Sequence, residues 1–259
     1  MELERFFADM PDAAGCIRCR DEAPLPVALR MAFQPIVDVA ARDVFAYEAL
    51  VRGAQGEGAA EVIARIEPAH LYRFDQTCRV LAIATAARLG LRTWLSINVS
   101  PNAVYEPAAC IRLTLAAAER VGFPTDRLMF ELNEGEHIAD PAHLLRVLRD
   151  YQQRGFLTAI DDFGAGYAGL TLLARFQPDV LKLDIALVRG IDTAPAQQAI
   201  AATMVDLAAR VGSRLVAEGV ETRAELDTLR ALGVVLFQGY LFARPALEAL
   251  PEPDWSVLD

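Results

Sequence analysis

Two adjacent carboxylates, Asp161 and Asp162, lie where a predicted strand ends and a glycine-containing loop begins. The apolar run 156–160 precedes them, and the loop 163–167 contains two glycines. Neighbouring anions repel each other and lose hydration when they are buried, so a bound cation would remove both costs. Taken alone, the pair fits a solvated turn as well as it fits a cation site, and the other polar residues must decide.

Polar side chains also interrupt other apolar runs, in each case near the carboxyl end of a predicted strand. They are Glu48, Asn98, Glu131, Asp161 with Asp162, Lys182 with Asp184, Glu218 and Gln238. Ionised groups in apolar strands are costly unless they are paired or bound to a metal. Carboxylate and amide oxygens, without His or Cys, suit a hard cation such as Mg²⁺ or Mn²⁺.

The carboxylates in this set exceed the needs of one octahedral ion that also keeps waters. Two ions bridged by Asp161 would use them, and such pairs activate water and stabilise displacement at a phosphoryl group. Lys182 has two interpretations: it is the ion-pair partner of Asp184 on the same strand face, or it acts beside the metals on the attacking water or the phosphate. The histidines lie away from these strand ends and are interpreted as surface or helix-start residues: His70, His137 and His143.

The elements that must position these residues alternate along the chain. Residues 33–37 and 44–51 are predicted strands, and the about six residues between them are too few for a parallel crossover, so the pair must be an antiparallel hairpin. Helices separate the further strands, which are predicted at 93–99, 127–132, 156–160, 179–185, 214–217 and 234–238.

These are eight short apolar strands, and most of them alternate with helices. Eight such strands close a (β/α)8 barrel, whose sites lie at the carboxyl ends of the strands. We therefore predict an α/β fold, a TIM-like (β/α)8 barrel with the first strand antiparallel. An open doubly wound sheet is the alternative, which the lack of a glycine-rich dinucleotide fingerprint after an early strand disfavours. The predicted division is an irregular extension at 1–30, a barrel domain at 31–246 and a C-terminal tail at 247–259.

Composition limits the classes of partner. The 259 residues are 54% hydrophobic, enough for a core, and their net charge is −10. This negative charge argues against a nucleic-acid polymer or an anionic membrane surface as a partner. No run approaches about 18 continuous apolar residues, so no membrane span is expected. The acidic start is unlike a signal peptide, and a cytoplasmic protein is expected.

Cys16 and Cys19 form a CxxC motif in the N-terminal extension. A zinc site normally needs a second such pair or two histidines. The motif therefore has two interpretations, a metal or redox site and a pair of free thiols.

Short motifs along the chain occur in the order found in one known protein family. They are Gln34-Pro35, Glu48-Ala49-Leu50, Ser96-Ile97-Asn98-Val99-Ser100, Phe130-Glu131-Leu132-Asn133-Glu134, D-D-F-G-A-G-Y-A-G-L at 161–170, Leu181-Lys182-Leu183-Asp184, Ala217-Glu218-Gly219-Val220-Glu221 and Phe237-Gln238-Gly239-Tyr240. With them, residues 30–246 resemble the EAL domain, the bacterial phosphodiesterase of cyclic di-GMP. The resemblance implies a modified TIM barrel that hydrolyses one phosphodiester bond to give linear pGpG, with two Mg²⁺ or Mn²⁺ ions.

The resemblance also implies a role for each matching residue. The implied ligands of the first metal are Glu48, Asn98, Glu131 and Asp161, and those of the second are Asp161, Asp162 and Glu218. Lys182 would assist the attacking water, and the implied catalytic residues are Lys182, Glu218 and Glu48. The residues that would bind the nucleotide or metal-bound waters are Gln34, Arg52, Asp184 and Gln238. Glu134 would support the loop 161–167, which is thought to couple the site to the dimer interface in this family.

Two departures from the family pattern remove no implied ligand. Asn133 stands where threonine is usual, and Ala168-Gly169 replaces the commoner Ser-Ser. The resemblance implies a homodimer formed through the helices after strands 156–160 and 179–185. No cyclase, sensor or response-regulator domain is recognised, so a regulatory protein partner or the cysteine-containing segment is expected to supply regulation.

Two other functions compete with the phosphodiesterase. One is a non-catalytic cyclic di-GMP receptor that acts through a partner protein, as degenerate EAL domains do after losing metal ligands. The other is a metal phosphodiesterase for a different nucleotide. The full set of implied ligands favours the active enzyme over the receptor.

Overall fold

The computed structural model describes residues 25–100, 104, 107–134, 140–164 and 169–259. The pair Cys16 and Cys19, His137 and the loop residues 165–168 lie outside these ranges, so their predicted roles stay predictions. The strands are β1 (Leu29–Asp38), β2 (Asp43–Gly53), β3 (Trp94–Asn98), β4 (Leu128–Asn133), β5 (Leu157–Phe163), β6 (Val180–Leu183), β7 (Arg214–Ala217), β8 (Leu236–Phe237) and β9 (Ala246–Leu247). The helices are α1 (Ala59–Ile63), α2 (Leu71–Arg88), α3 (Pro107–Val121), α4 (Pro141–Gln153), α5 (Gly169–Leu173), α6 (Ile185–Val188), α7 (Pro195–Val211) and α8 (Arg223–Ala231).

The strands form a closed barrel. Strands β2 to β8 are parallel and neighbour each other in chain order. β1 closes the barrel because it pairs antiparallel with both β2 and β8, and β9 adds to β1 as an extra strand. The predicted TIM-like barrel with an antiparallel first strand is confirmed, and the open doubly wound sheet is wrong. The sheet is closed because β1 pairs with β8 as well as with β2, and β1 is antiparallel because the tight turn between β1 and β2 cannot return the chain in a parallel direction.

A layer of apolar side chains fills the interior of the barrel below the site. Its members come from different strands and are Ile36, Ala46, Met129, Ala159, Val180, Val216 and Leu236. Each lies two positions from a predicted site residue, and side chains two apart on a strand share a face. On the parallel strands the site residue follows the apolar one, as Glu131 follows Met129. On the reversed β1 the site residue precedes the apolar residue, as Gln34 precedes Ile36. Both strand directions therefore place polar groups at the same end of the barrel.

The helices cover the outer face of the barrel. Outward-facing Phe33, Leu95 and Phe130 pack with Ile83 of α2 and Tyr151 of α4 in one apolar cluster. Burial of this apolar surface is the main favourable contribution to the packing of the helices on the strands. Among the described residues, no helix combines the length and the apolar character needed to cross a bilayer.

Two helix starts have well-formed side-chain caps. The Asp140 side chain accepts hydrogen bonds from the backbone N–H groups of Ala142 and His143, and Pro141 occupies the first helical position of α4. Thr222 and Glu225 form a reciprocal capping box at the start of α8. Both arrangements satisfy backbone donors that have no partner within the helix.

The C-terminal segment contains ordered elements that the sequence did not predict. Residues Ala246–Leu247 pair with β1 as strand β9, and Trp255–Leu258 form a 3₁₀ turn that packs on the core. The Tyr47 hydroxyl donates to the carbonyl of Pro251 at 3.0 Å. Prolines are poor strand and helix formers because they lack a donor, which is why the composition of this segment concealed its order.

Candidate active site and metal centre

Lys182 lies at the centre of a buried cluster of carboxylates at the carboxyl end of the barrel. Its side chain is completely excluded from solvent. The Nζ atom lies 2.7 Å from Glu218 Oε1, 2.8 Å from Asp161 Oδ1, 2.9 Å from Glu131 Oε2 and 3.5 Å from Glu48 Oε2. The strand β6 positions Lys182 here because Val180, two residues earlier, occupies the apolar layer beneath. The cluster therefore combines one cation with four anions from four other strands or strand ends.

The pKa values of the cluster reflect its excess of carboxylates over cations. Burial raises the pKa of Glu131 to about 8, although Lys182 acts to lower it. Burial also raises the pKa of Glu218 well above its ordinary value, against the same opposing charge. For Lys182, burial acts to lower the pKa, but Asp161 and the other carboxylates prevail and raise it well above its ordinary value. The lysine is thus protonated at neutral pH, and one ammonium cannot hold all its carboxylates ionised.

The carboxylates form two groups that share one residue. Oxygen atoms of Glu48, Glu131 and Asp161 lie within 4.8 Å of one another, and so do oxygen atoms of Asp161, Asp162 and Glu218. Asp161 belongs to both groups, as the sequence predicted for a bridging ligand. Buried carboxylates at this spacing repel one another unless cations lie between them, and oxygen-only donors suit Mg²⁺ or Mn²⁺. The residues therefore fit a centre for two divalent ions.

A β-bulge allows Asp161 and Asp162 to serve the same centre. Adjacent residues of a regular strand point to opposite faces. Here Ile160 pairs with Leu181 but Phe163 pairs with Leu183, so β5 contains one extra residue relative to β6. Asp162 adopts a left-handed backbone with φ of 52°, which aspartate tolerates better than most residues. The bulge therefore turns the second carboxylate toward the group of Asp161 and Glu218.

Asn133, the departure from the family pattern, contacts this second carboxylate. Its Nδ2 donates a hydrogen bond to Asp162 Oδ2 from the adjacent strand β4. Burial and the charge of Asp161 raise the pKa of Asp162, and this hydrogen bond opposes the rise. The amide thus orients Asp162 and favours its ionised form.

Amide side chains surround Glu48 at the other end of the cluster. Asn98 Nδ2 donates to Glu48 Oε1 at 2.9 Å, and Gln238 Nε2 donates to Glu48 Oε2 at 2.7 Å. Gln238 Nε2 also lies 3.3 Å from Gln34 Oε1, and Gln34 donates to the carbonyl of Ala243 at 3.0 Å. The structure therefore brings Gln238 and the predicted amide ligand Asn98 to the same carboxylate, with Gln34 in contact with Gln238.

Ser96 is a site residue that the sequence reasoning did not single out. Its hydroxyl donates to Oε1 of the fully buried Glu131, whose other oxygen contacts Lys182. Ser96 lies two residues before Asn98 on β3, so both face the barrel interior. The two-residue spacing from Asn98 could have identified Ser96 as a site residue. Serine is common in strands without any functional role, however, so the spacing alone was not informative.

Glu134 holds both ends of the loop that follows Asp162. Its Oε2 accepts from the backbone N–H of Gly164 at 2.7 Å, and its Oε1 accepts from that of Gly169 at 2.8 Å. A Cβ at Gly169 would lie 2.7 Å from the Glu134 carboxyl carbon, so a larger residue there would have to displace this carboxylate. Support of the loop by Glu134, expected from the resemblance, therefore has a direct geometric basis, and Gly169 is part of it.

Two predicted binding residues lie outside the central cluster. The Arg52 guanidinium donates to the carbonyl of Val51 at 2.8 Å. Asp184 follows the end of β6 and caps α6 by accepting from the N–H of Ala186 at 2.7 Å. The predicted strand 179–185 thus ends at Leu183, and the ion-pair partners described for Lys182 do not include Asp184.

His70 and His143, the histidines within the described ranges, lie away from the carboxylate cluster. His70 ends a 3₁₀ turn, and His143 lies in the first turn of α4 with its Nε2 against the carbonyl of Val104. Both positions agree with the surface or helix-start placement that the sequence predicts for these two residues.

Curated relatives share this chain's sequence over much of its length. BluF of Escherichia coli, a blue light- and temperature-regulated antirepressor, is 30% identical over 225 residues, which cover 86% of this chain and 56% of BluF. The cyclic di-GMP phosphodiesterase RocR of Pseudomonas aeruginosa is 37% identical over 162 residues, or 62% of this chain and 41% of RocR. The chain thus spans roughly half of these relatives.

Solved structures of high similarity carry cyclic di-GMP. A standalone EAL protein of Vibrio cholerae in its c-di-GMP bound form is 47% identical with a TM-score of 0.88, and the match covers 91% of this chain and all of that one. A manganese and cyclic di-GMP complex of BlrP1 from Klebsiella pneumoniae is 39% identical with a TM-score of 0.83, covering 89% of this chain and 60% of BlrP1. The family model of the EAL domain matches residues 26–245, and the chain belongs to the EAL domain family.

Proposed function

We propose that this protein is a metal-dependent phosphodiesterase that hydrolyses cyclic di-GMP to linear pGpG. The observation that carries the proposal is the pair of carboxylate groups joined at Asp161, with Lys182 between them. Similar proteins support the substrate, because one is named a cyclic di-GMP phosphodiesterase and others were solved with cyclic di-GMP. The manganese complex of BlrP1 supports the class of metal.

Each carboxylate group would hold one divalent ion. Glu48, Glu131 and Asp161, with the Asn98 amide oxygen, would hold the first, and Asp161, Asp162 and Glu218 would hold the second. When bound, such a pair lowers the pKa of a coordinated water and neutralises charge on a phosphodiester. The reaction forms a bond between water oxygen and phosphorus, breaks one phosphorus–oxygen ester bond, and leaves a proton on the departing ribose oxygen.

The chain's own residues position the reacting groups. The surrounding carboxylates raise the pKa of Lys182, and an ammonium at this position would donate hydrogen bonds to the attacking water or to a phosphate oxygen on which negative charge grows. Gln238 holds the Glu48 carboxylate and contacts Gln34, and both glutamines are proposed to present amide groups to the nucleotide or to waters around it. Asp184 lies beside Asp162 and is proposed to bind nucleotide or waters there. Arg52 is proposed as a phosphate ligand, since its hydrogen bond to the Val51 carbonyl uses only one of the donors of the guanidinium.

A homodimer through α5 and α7, the helices after the predicted strands 156–160 and 179–185, is part of the proposal. Leu170 on α5 and Ile200 on α7 are large apolar side chains with exposed fractions of 63% and 41%. The backbone N–H of Gly169, the first residue of α5, donates to Glu134. Pairing through α5 would therefore affect the loop that Glu134 holds.

The test is incubation of the purified protein with cyclic di-GMP in Mg²⁺, in Mn²⁺ and in EDTA, with chromatographic separation of the products. Appearance of pGpG in either metal and its loss in EDTA is the expected result. Binding of intact cyclic di-GMP without turnover would contradict the proposal and place the protein with non-catalytic receptors. Turnover of another cyclic nucleotide at a higher kcat/KM would contradict the substrate alone.

A further inference from the structure

Helix α2 carries a second buried ion pair, in the layer outside the barrel wall. Asp75 Oδ2 lies 2.7 Å from Arg79 Nη2, and the two side chains are 3% and 0% exposed. Arg79 Nη1 donates to the Tyr151 hydroxyl at 3.0 Å, and its guanidinium carbon lies 5.9 Å from the ring centroid of Phe130. Phe130 immediately precedes Glu131, so the pair sits behind the part of the wall that carries this carboxylate.

The second oxygen of Asp75 reaches the end of β3. Asp75 Oδ1 accepts from the backbone N–H of Ser100 at 3.0 Å, two residues beyond Asn98. On the barrel side, the backbone N–H of Val99 donates to the carbonyl of Glu131 at 2.9 Å. The segment that carries Asn98 is therefore held by β4 on one side and by α2 on the other.

A contribution to folding stability does not by itself explain why a charged pair is buried at this position. The desolvation of two buried ions is offset only in part by their attraction, and apolar residues of similar volume often serve stability as well or better. Burial raises the pKa of Asp75 despite Arg79 and the Ser100 N–H, which shows how large that desolvation is. What apolar residues cannot supply is an acceptor for the Ser100 N–H at a fixed position.

We propose that Asp75 is a positioning residue for the metal centre and that Arg79 is its counter-charge. The Asp75 oxygen that accepts from the Ser100 N–H fixes the end of β3 and, through the chain, the amide of Asn98. This inference rests on the proposed function, because Asn98 acts as a ligand only when the metal centre forms. Asn98 contacts Glu48 at 2.9 Å, so movement of the β3 end changes how these two side chains meet a cation.

The test is calorimetric titration of Mn²⁺ into the full chain and into D75L/R79M, with substrate left out. The double variant removes both charges and the acceptor while keeping apolar volume. We expect a folded protein whose affinity for one of its two Mn²⁺ ions falls by about 10-fold, as groups behind metal ligands commonly cause. Wild-type affinity for both ions in the folded double variant would overturn the inference.

Two further variants separate positioning from general disturbance of the core. D75N/R79M is also uncharged but keeps an amide oxygen for the Ser100 N–H, so we expect it to restore wild-type Mn²⁺ affinity. It also decides the question if D75L/R79M fails to fold, because loss of affinity in D75N/R79M would overturn the inference. Y151F removes another partner of Arg79 and leaves Asp75 in place. We expect no change in affinity, and a loss equal to that of D75L/R79M would likewise overturn the inference.

Failure of the proposed function gives a different result. If the unaltered protein binds no Mn²⁺, the metal centre itself is wrong, whatever the variants do. If it binds Mn²⁺ and releases pGpG while the folded variants bind Mn²⁺ equally well, only the role of Asp75 and Arg79 is wrong.

Discussion

Two buried charge networks stand on opposite sides of the same barrel wall. Outside it, Asp75 and Arg79 match one anion with one cation. Inside it, Lys182 faces the carboxylates of Glu48, Glu131, Asp161 and Glu218. Burial makes both networks costly, but only the inner one lacks the positive charge to ionise all its members. A buried charge imbalance, rather than buried charge itself, is therefore what marks the site.

The largest expected effect comes from removing the shared carboxylate of the unbalanced network. D161A should lower the turnover of cyclic di-GMP by about 10³-fold or more, since metal ions supply several kcal/mol of transition-state stabilisation. Chromatography of pGpG measures it. The control is D150N, which removes a partly exposed carboxylate of α4 that pairs with Arg154. Near wild-type turnover in D161A would contradict the two-metal proposal.

Removing one partner of the balanced network should change stability instead. R79M leaves Asp75 buried without its cation, and a loss of about 3–5 kcal/mol in the free energy of unfolding is expected. D75L/R79M, which removes both charges, should lie close to the unaltered protein. Urea unfolding of the three proteins measures this. Equal losses in the single and double variants would show that packing, not charge balance, sets the stability of this region.

Replacement of Lys182, the cation described in the inner network, should affect catalysis more than substrate binding. K182M is expected to lower kcat by about 10²-fold, the scale of a lost proton-transfer or charge-stabilising group, with a much smaller change in KM. Addition of Mn²⁺ should raise the thermal midpoint of K182M more than that of the unaltered protein, because the carboxylates then have no other cation. A parallel change of kcat and KM would mean that Lys182 only binds substrate.

The smallest effect is expected beside the inner network, at the loop. E134Q keeps one acceptor but turns the other into an NH₂ group that faces a backbone N–H of Gly164 or Gly169. Loss of one hydrogen bond to a charged acceptor, about 1.5–3 kcal/mol, should lower turnover by roughly 10-fold or more while Mn²⁺ affinity is kept. E119Q, at an exposed glutamate of α3, is the control. Unchanged turnover in E134Q would show that the hydrogen bonds of Glu134 to the loop do not affect catalysis.

Much of the barrel follows from local pattern. The two-residue period that places Met129 and Glu131 on one face is written in the sequence, and so is the short turn that forces β1 to be antiparallel. The cap at Asp140 and the capping box at Thr222 are equally local, since their donors and acceptors lie within three residues. Features of this kind can be read from the sequence because neighbouring residues are enough to determine them.

Other features depend on partners far away in the chain. The bulge at Asp162 requires the register of β6, and the role of Ser96 requires Glu131 to lie opposite on the next strand. Asp184 looks like a strand residue in sequence, yet it caps α6 because β6 ends one residue earlier. No pattern within a few residues encodes these outcomes, so sequence reasoning missed them.

The sequence by itself determined the fold class, the family resemblance and the chemical types of the site residues, because strand period and residue chemistry are local properties. Only the tertiary structure decided that Lys182 contacts four buried carboxylates, that Ser96 donates to Glu131, and that Asp75 reaches the end of β3. Those contacts join residues from separate strands and helices. Their distances are set by how the closed barrel packs, which no single segment specifies.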